Sequence, residues 1–324
     1  MRVAVLSGGR SSEHEVSQAS ATSVAQGLRD AGHDVVWIDL ARDGTWSHDG
    51  EEVALRPGRG LLGCDVCFPV LHGAFGEDGT VQGLLELLDV PYVGSGVMAS
   101  AVCLDKVMFK DLMAQAGIPQ VAYALAVAGG AVPDVAAFGL PVWVKPARMG
   151  SSVGIARVDR LEDLEAAIAG ALAYDERVII EASAPGREVE CSVLGEPGEV
   201  EVSTPGEIVL TGGEDGWYDF AAKYEAGGMR LQVPARISPA AAARVRELAA
   251  EAFAVAACSG LARADFFVDG DDVLLNELNT MPGQTTTSVY GVLWEHDGVP
   301  YPQLMDTLCR IAVARFERDR ALRH

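Results

Sequence analysis

The first 90 residues alternate short apolar runs with longer helical stretches, and that alternation constrains the fold more than any other feature of the chain. Residues 2–6 read as a buried strand, followed by the Gly8-Gly9 turn and a helix over 17–31 closed by Gly32. Strands over 34–40 and 65–71 and a helix over 80–88 continue the pattern. Strands joined through helices run parallel, because a tight turn can only reverse the chain, so this part reads as a parallel α/β sheet.

Pro91 and the Gly94-Ser95-Gly96 turn mark a first boundary. A long helix is expected over 97–116, stopped by Gly117 and Pro119. Strand-like segments follow at 121–127, 141–145 and 153–158, then a helix over 161–172 and a strand over 177–180. After Glu181 strand-like runs with acidic turns dominate to about residue 233. A helix over 239–258, a hairpin over 262–279 and an amphipathic helix over 301–322 complete the order. The expected organisation is three domains, 1–95, 96–181 and 182–324, of α/β class with an α+β C-terminal part.

The 324 residues carry 25 basic and 46 acidic side chains, a net charge of −21. Nucleic-acid affinity is built from clustered lysine and arginine, so such a partner is not expected. The charge is uneven: residues 1–90 sum to −8, 91–180 to −2 and 181–324 to −11. Only Lys106, Lys110, Lys145 and Lys223 are lysines, and three of them fall in the near-neutral middle, where an anionic ligand meets least repulsion. Cys64 and Cys67 have C-x-x-C spacing, but no second pair or histidine cluster completes a zinc site, so all six cysteines are expected as buried free thiols. The apolar run at the N-terminus is too short for a signal-peptide core and no 18-residue apolar stretch occurs, so the chain is expected to be cytoplasmic, with no membrane partner.

The strongest constellation is the late hairpin. Arg263, Asp265 and Phe267 alternate with Ala264, Phe266 and Val268 at the period of a strand. With Gly270-Asp271-Asp272 as a three-residue loop, Asp265 faces Glu277 and Arg263 faces Asn279. Two carboxylates and an amide oxygen beside an arginine make a hard-oxygen set suited to Mg²⁺, which keeps substrate phosphates among its ligands. The alternative is a solvated acidic face with Arg263 in a surface ion pair; the apolar flanks of both strands favour the metal. A second constellation runs from the strand ending at Lys145 through Gly150-Ser151-Ser152 to Gly154, where small residues let backbone N–H groups approach an anion. It is not a Walker A motif, since no helix opens on it. Glu181 and Glu188 flank a turn where one carboxylate could receive a ribose hydroxyl, and His72 opens a glycine-rich turn at the end of a parallel strand, where structural and functional roles are equally open.

Gly8 to Ser17, His72 to Gly79, Gly94-Ser95-Gly96 with Asp105-Lys106, Lys145 to Gly154, Lys223-Tyr224 and Asn276 to Gly283 stand in the order of the signatures of D-alanine–D-alanine ligases, which the chain resembles over nearly its whole length. The resemblance implies an ATP-grasp fold with an N-terminal Rossmann-like parallel-sheet domain and ATP between the central and C-terminal domains. It implies that Lys106, Lys145 and Lys223 meet ATP, with Ser151 and Ser152 in a lid over the phosphates. It gives the adenosine to Glu181 and Glu188, helped by backbone groups of Ala182 and Ala184, and two Mg²⁺ ions, replaceable by Mn²⁺, to Asp265, Glu277 and Asn279. Glu13 is expected to anchor the first D-alanine, near Val16 and His72, in a triad with Ser151 and Tyr224. Arg263 and the N–H of Gly283 are expected at the oxyanion, and Ser288 with Arg263 at the second substrate's carboxylate.

The activity implied is joining two D-alanines with ATP through an acyl phosphate, in peptidoglycan precursor synthesis, by a homodimer. Ala221, where family members often carry an acid, and the unusual run 284–289 border the second-substrate site, so a D-serine or D-lactate acceptor, or a role in specialised metabolism, is the alternative. Tyr224 favours D-alanine over D-lactate.

Overall fold

The computed structural model describes residues 1–151, 153–210 and 229–322. Strand β1 (Arg2–Gly8) has Val3 to Leu6 fully buried, as in a parallel sheet covered on both faces. Helix α1 (His14–Asp30) follows it, then β2 (Asp34–Leu40), the short β3 (Trp46–His48) and β4 (Glu51–Glu52), and β5 (Val66–Pro69). The sheet order is β4-β3-β2-β1-β5, with β1 parallel to β2 and β5 as expected, and β3 and β4 added antiparallel at one edge. Helix α2 (Thr80–Leu88) packs on the same unit through Val81, Leu85 and Leu88.

The helix expected over 97–116 is two helices, α3 (Val97–Leu104) and α4 (Lys106–Gln115). Asp105 between them is extended, and its carboxylate accepts from the N–H groups of Val107 and Met108, both at 3.1 Å. An aspartate that caps a new helix competes with continuing the old one, and the apolar periodicity running across it conceals the break. Next come β6 (Tyr123–Val127), β7 (Val142–Pro146), β8 (Ala156–Val158), α5 (Leu164–Ala171) and β9 (Arg177–Ala182), forming an antiparallel sheet ordered β6-β9-β7-β8. The strand expected over 153–158 thus keeps only its last half, and β9 runs through the boundary expected at 181.

The third sheet holds β10 (Arg187–Glu196), β11 (Glu199–Val202), β12 (Gly206–Leu210), β13 (Met229–Gln232), β14 (Gly260–Asp269) and β15 (Asp272–Asn279). Its order is β13-β12-β10-β14-β15, with β11 on β10. Helix α6 (Pro239–Val255) precedes β14; Ser238 caps it by accepting from Ala241 N–H at 3.0 Å, and proline occupies the first turn, where its missing N–H costs nothing. Val245, Leu248, Ala249 and Phe253 of α6 pack on Val189, Cys191, Ala262, Ala264 and Phe266, so one face of β10 and β14 is core. The period of two then turns Arg263, Asp265 and Phe267 to the opposite face.

Helix α7 (Val289–His296), which the sequence did not announce, and α8 (Tyr301–Arg320) end the described chain. Leu304, Met305 and Leu308 of α8 share a core with Val3, Val5 and Phe68 of the first sheet and Val24 and Leu28 of α1. The closing helix therefore packs back against the N-terminal sheet. Cys64 is half-buried, and the other five cysteines are buried free thiols. Among the described residues no helix is long and apolar enough to cross a membrane.

Candidate active site

A cavity of about 1040 Å³ lies where the three sheets meet. Glu13, Val16 and His72 line it from the first unit, and Lys106, Lys145 and Ser151 from the second. Glu181, Ala182, Ala184 and Glu188 line it at the β9–β10 junction, and Arg263, Glu277, Asn279, Gly283 and Ser288 from the third sheet and the loop after it. Asp265 sits behind this wall, held by Arg263. Ser152, Lys223 and Tyr224 lie outside the described residues.

Glu13 stands just before α1, buried, and accepts a short hydrogen bond from the Ser151 hydroxyl. The glycine at 73 is required here: its φ is +70°, and a Cβ would sit 2.7 Å from Glu13 Oε2. His72 uses both ring nitrogens within the protein. Nδ1 donates to the Met281 carbonyl at 3.0 Å, and Nε2 accepts from Ser20 Oγ at 3.1 Å, which itself accepts from Gln284 N–H at 3.2 Å. Burial holds the imidazole below its usual value, in keeping with this neutral form. His72 thus ties the β5 end to the 281–284 loop and offers a substrate little more than its ring edge.

Glu77, five residues on, went unassigned in the sequence although its glycine-rich turn stood out. Its carboxylate accepts from Gly73 N–H at 2.6 Å and Met281 N–H at 3.3 Å. Burial first, then the Glu13 charge, push its pKa up to about 8. On the other side of the loop, a Cβ on Gly283 would lie 2.9 Å from Ser288 Oγ, which bonds Thr285 Oγ1 at 2.7 Å and accepts from Thr285 N–H at 3.1 Å. Ser288 braces the loop that presents the Gly283 backbone.

The expected hairpin pairs form, by a different route. Arg263 pairs with Asn279 and Asp265 with Glu277, but Asp269 pairs with Asp272, so the turn holds two residues rather than three. A bulge between Asp265 and Phe266, with Asn276 as the extra residue of β15, restores the register. Arg263 Nε and Nη2 each donate to one oxygen of Asp265 at 2.7 Å, and Nε lies 3.0 Å from Glu190 Oε2. Glu190 is fully buried and opposite Asp265 in the β10–β14 register. Among the described residues no three histidine, cysteine, aspartate or glutamate side chains converge closely enough to hold a metal by themselves. The donor set fits a hard cation that takes other ligands from substrate: Glu277 and Asn279 line the cavity with oxygens on the face that carries Asp265.

On the second unit Lys106 opens α4, and its ammonium donates to the Met149 carbonyl at 2.7 Å. Lys145, at the end of β7, lies 2.5 Å from Glu181 Oε2, and Lys110, buried in α4, lies 3.1 Å from Glu181 Oε1. Burial opposes the carboxylate charge, but the Lys145 and Lys110 ammoniums outweigh it and hold Glu181 at about 2. Burial likewise opposes the Lys145 charge, and the Glu181 carboxylate overcomes it and raises the ammonium's pKa. The sequence assigned Glu181 to the nucleoside; in the structure both oxygens face lysines. Backbone groups of Ala182 were assigned to the same ligand; its N–H donates to Ala122 O at 2.9 Å. Glu188, half-buried on β10, and Ala184 keep their place on the wall.

The family description D-ala D-ala ligase N-terminus matches residues 2–60 and 54–95, and D-ala D-ala ligase C-terminus matches 112–310. The D-alanine–D-alanine ligase of Mycobacterium bovis is 44% identical over 97% of this chain and 96% of its own length. The chain belongs to the D-alanine–D-alanine ligase family. The Mycolicibacterium smegmatis ligase is also 44% identical over the same shares of both chains. Among solved structures, the D-alanine–D-alanine ligase of Coxiella burnetii superposes with a TM-score of 0.87 at 31% identity, covering 99% of this chain and 96% of that one. The VanG D-Ala:D-Ser ligase of Enterococcus faecalis gives 0.86 at 34%, covering 96% and 99%. The ATP-grasp expectation holds, and the fold accommodates ligases whose second substrate differs.

Proposed function

We propose that the chain joins two D-alanine molecules into D-alanyl-D-alanine at the expense of ATP, through an acyl phosphate, in the synthesis of peptidoglycan precursors. The observation that carries this reading is the set of side chains brought to one cavity: Glu13 bonded by Ser151, lysines from α4 and β7, and a carboxylate-bearing hairpin. Glu13 receives the ammonium of the first D-alanine and Ser151 holds the Glu13 carboxylate in place. Lys145 and Lys106 draw the phosphates to them. Asp265, Glu277 and Asn279 would hold two Mg²⁺, or Mn²⁺; when bound, such ions neutralise charge on phosphate oxygens. Arg263 and the Gly283 N–H stabilise the oxyanion formed as the second amine attacks. Arg263 with Ser288 then receives the second carboxylate. The enzyme works as a cytoplasmic homodimer of three-domain subunits divided near residues 95 and 181.

Incubation with ATP, Mg²⁺ and D-alanine, read by phosphate release and by mass of the product, tests this. Dipeptide with one phosphate per bond is expected. No dipeptide from D-alanine alone, or faster ligation when D-serine or D-lactate is added as acceptor, would replace the reading.

A further inference from the structure

Lys110 is the one lysine among the described residues that does not reach the cavity. It is 1% exposed, one helical turn after Lys106 on α4. An isolated ammonium so deep is costly, and buried charges are found paired. Its partner is Glu181, on β9, whose other oxygen meets Lys145 on β7. The Tyr123 ring, 5.9 Å away, adds a weak cation–π contact.

The sum of charges gives this arrangement its consequence. Two ammoniums and one carboxylate give this group one positive charge in excess, and Lys145 and Glu181 line the cavity while Lys110 stands behind them. The Glu277 and Glu188 carboxylates act on Lys145 as well. Without Lys110 the pair left behind is neutral, and the whole Glu181 carboxylate is turned on the Lys145 ammonium. We propose that Lys110 is a positioning residue for the phosphates of the nucleotide: by engaging one oxygen of Glu181, it fixes that carboxylate and keeps it from being turned wholly on Lys145, which is left to meet the ligand. This rests on the ATP-dependent reading above and adds a residue that acts only through Glu181.

Four proteins test it: the wild type, Lys110→Met, Glu181→Gln and the double variant. KM for ATP, KM for D-alanine and kcat are measured in each, with direct ATP titration and urea unfolding alongside. Lys110→Met should raise KM for ATP roughly tenfold or more, with KM for D-alanine unchanged. With Glu181 already replaced by glutamine, removing Lys110 should change KM for ATP by less than about twofold, because its only route is gone. A Lys110→Met enzyme with wild-type KM for ATP overturns the inference. So does a double variant that loses as much relative to Glu181→Gln as the single variant loses relative to wild type. If Lys110→Met does not fold, the comparison of Glu181→Gln with the double variant decides by the same criterion. A wild type that binds ATP but makes no dipeptide overturns the ligase reading alone, and the titrations then judge Lys110. A wild type that binds no ATP overturns both.

Discussion

Two charged groups beside the cavity, on different sheets, are built from the same parts in opposite proportion. On the four-stranded sheet, Lys110 and Lys145 share the carboxylate of Glu181. On the larger sheet, Asp265 and Glu190 share the guanidinium of Arg263. Each group of three is largely buried, and counted among its own members each has one charge in excess, positive for the lysine group and negative for the arginine group. A buried ion pair with matched charges offers a ligand nothing. An unmatched trio holds its charges in contact and still presents a field, which suits phosphate beside the lysine group and a divalent cation beside the arginine group.

The largest expected effect comes from breaking the arginine group. Arg263→Met leaves two carboxylates facing each other out of water, so a loss of about 3–5 kcal/mol in urea unfolding is expected, with kcat down by roughly 10² or more. Unfolding unchanged within error would mean that Glu190 and Asp265 do not depend on Arg263. Lys145→Ala is expected to abolish measurable ligation while unfolding stays cooperative, because Glu181 keeps Lys110. The stability cost should be only about 1–2 kcal/mol; activity near wild type would remove Lys145 from the phosphate site.

The smallest effect is in the pH dependence of stability, where two buried glutamates act with opposite signs. Glu181 is held at about 2 against an ordinary value of 4.5, so the folded state binds its proton more weakly than the unfolded chain. Its contribution is present above pH 4.5 and is lost as pH falls toward 2. Glu77 is raised from 4.5 to about 8, so its contribution is full below pH 4.5 and is lost as pH climbs toward 8. Unfolding measured across pH 2–8 should therefore show Glu181→Gln flattening the acid limb and Glu77→Gln flattening the neutral one. The same limb flattened by both would refute the opposition.

These trios also mark the limit of what the sequence shows. Arg263, Asp265, Glu277 and Asn279 were legible because a strand's alternation puts like positions on one face and a hairpin's pairing is set by its turn. Glu190 and Lys110 were not, because their partners are 73 and 71 residues away; a charge inside an apolar stretch signals burial but does not name its partner. The break at Asp105 was hidden by periodicity that continues across it. Helix α7 was hidden by its brevity, since an eight-residue segment that opens on an apolar run after a polar loop fits strand or helix alike. The three parallel strands of the first sheet were the most readable part, as their apolar runs report their burial, whereas β3 and β4, three and two residues long at the edge, carry no such signal.

The bulge at Asn276 has a consequence for how this hairpin tolerates change in length. From Phe266 outward the two strands pair at one offset, and from Asp265 inward they pair at another. A residue added to the two-residue turn and the extra residue removed from β15 would cancel, giving the three-residue loop that the sequence first suggests with the same inner pairs. The inner half is therefore insulated from insertions and deletions at the tip, and the set of side chains turned to the cavity can persist while the exposed end of the hairpin is rebuilt.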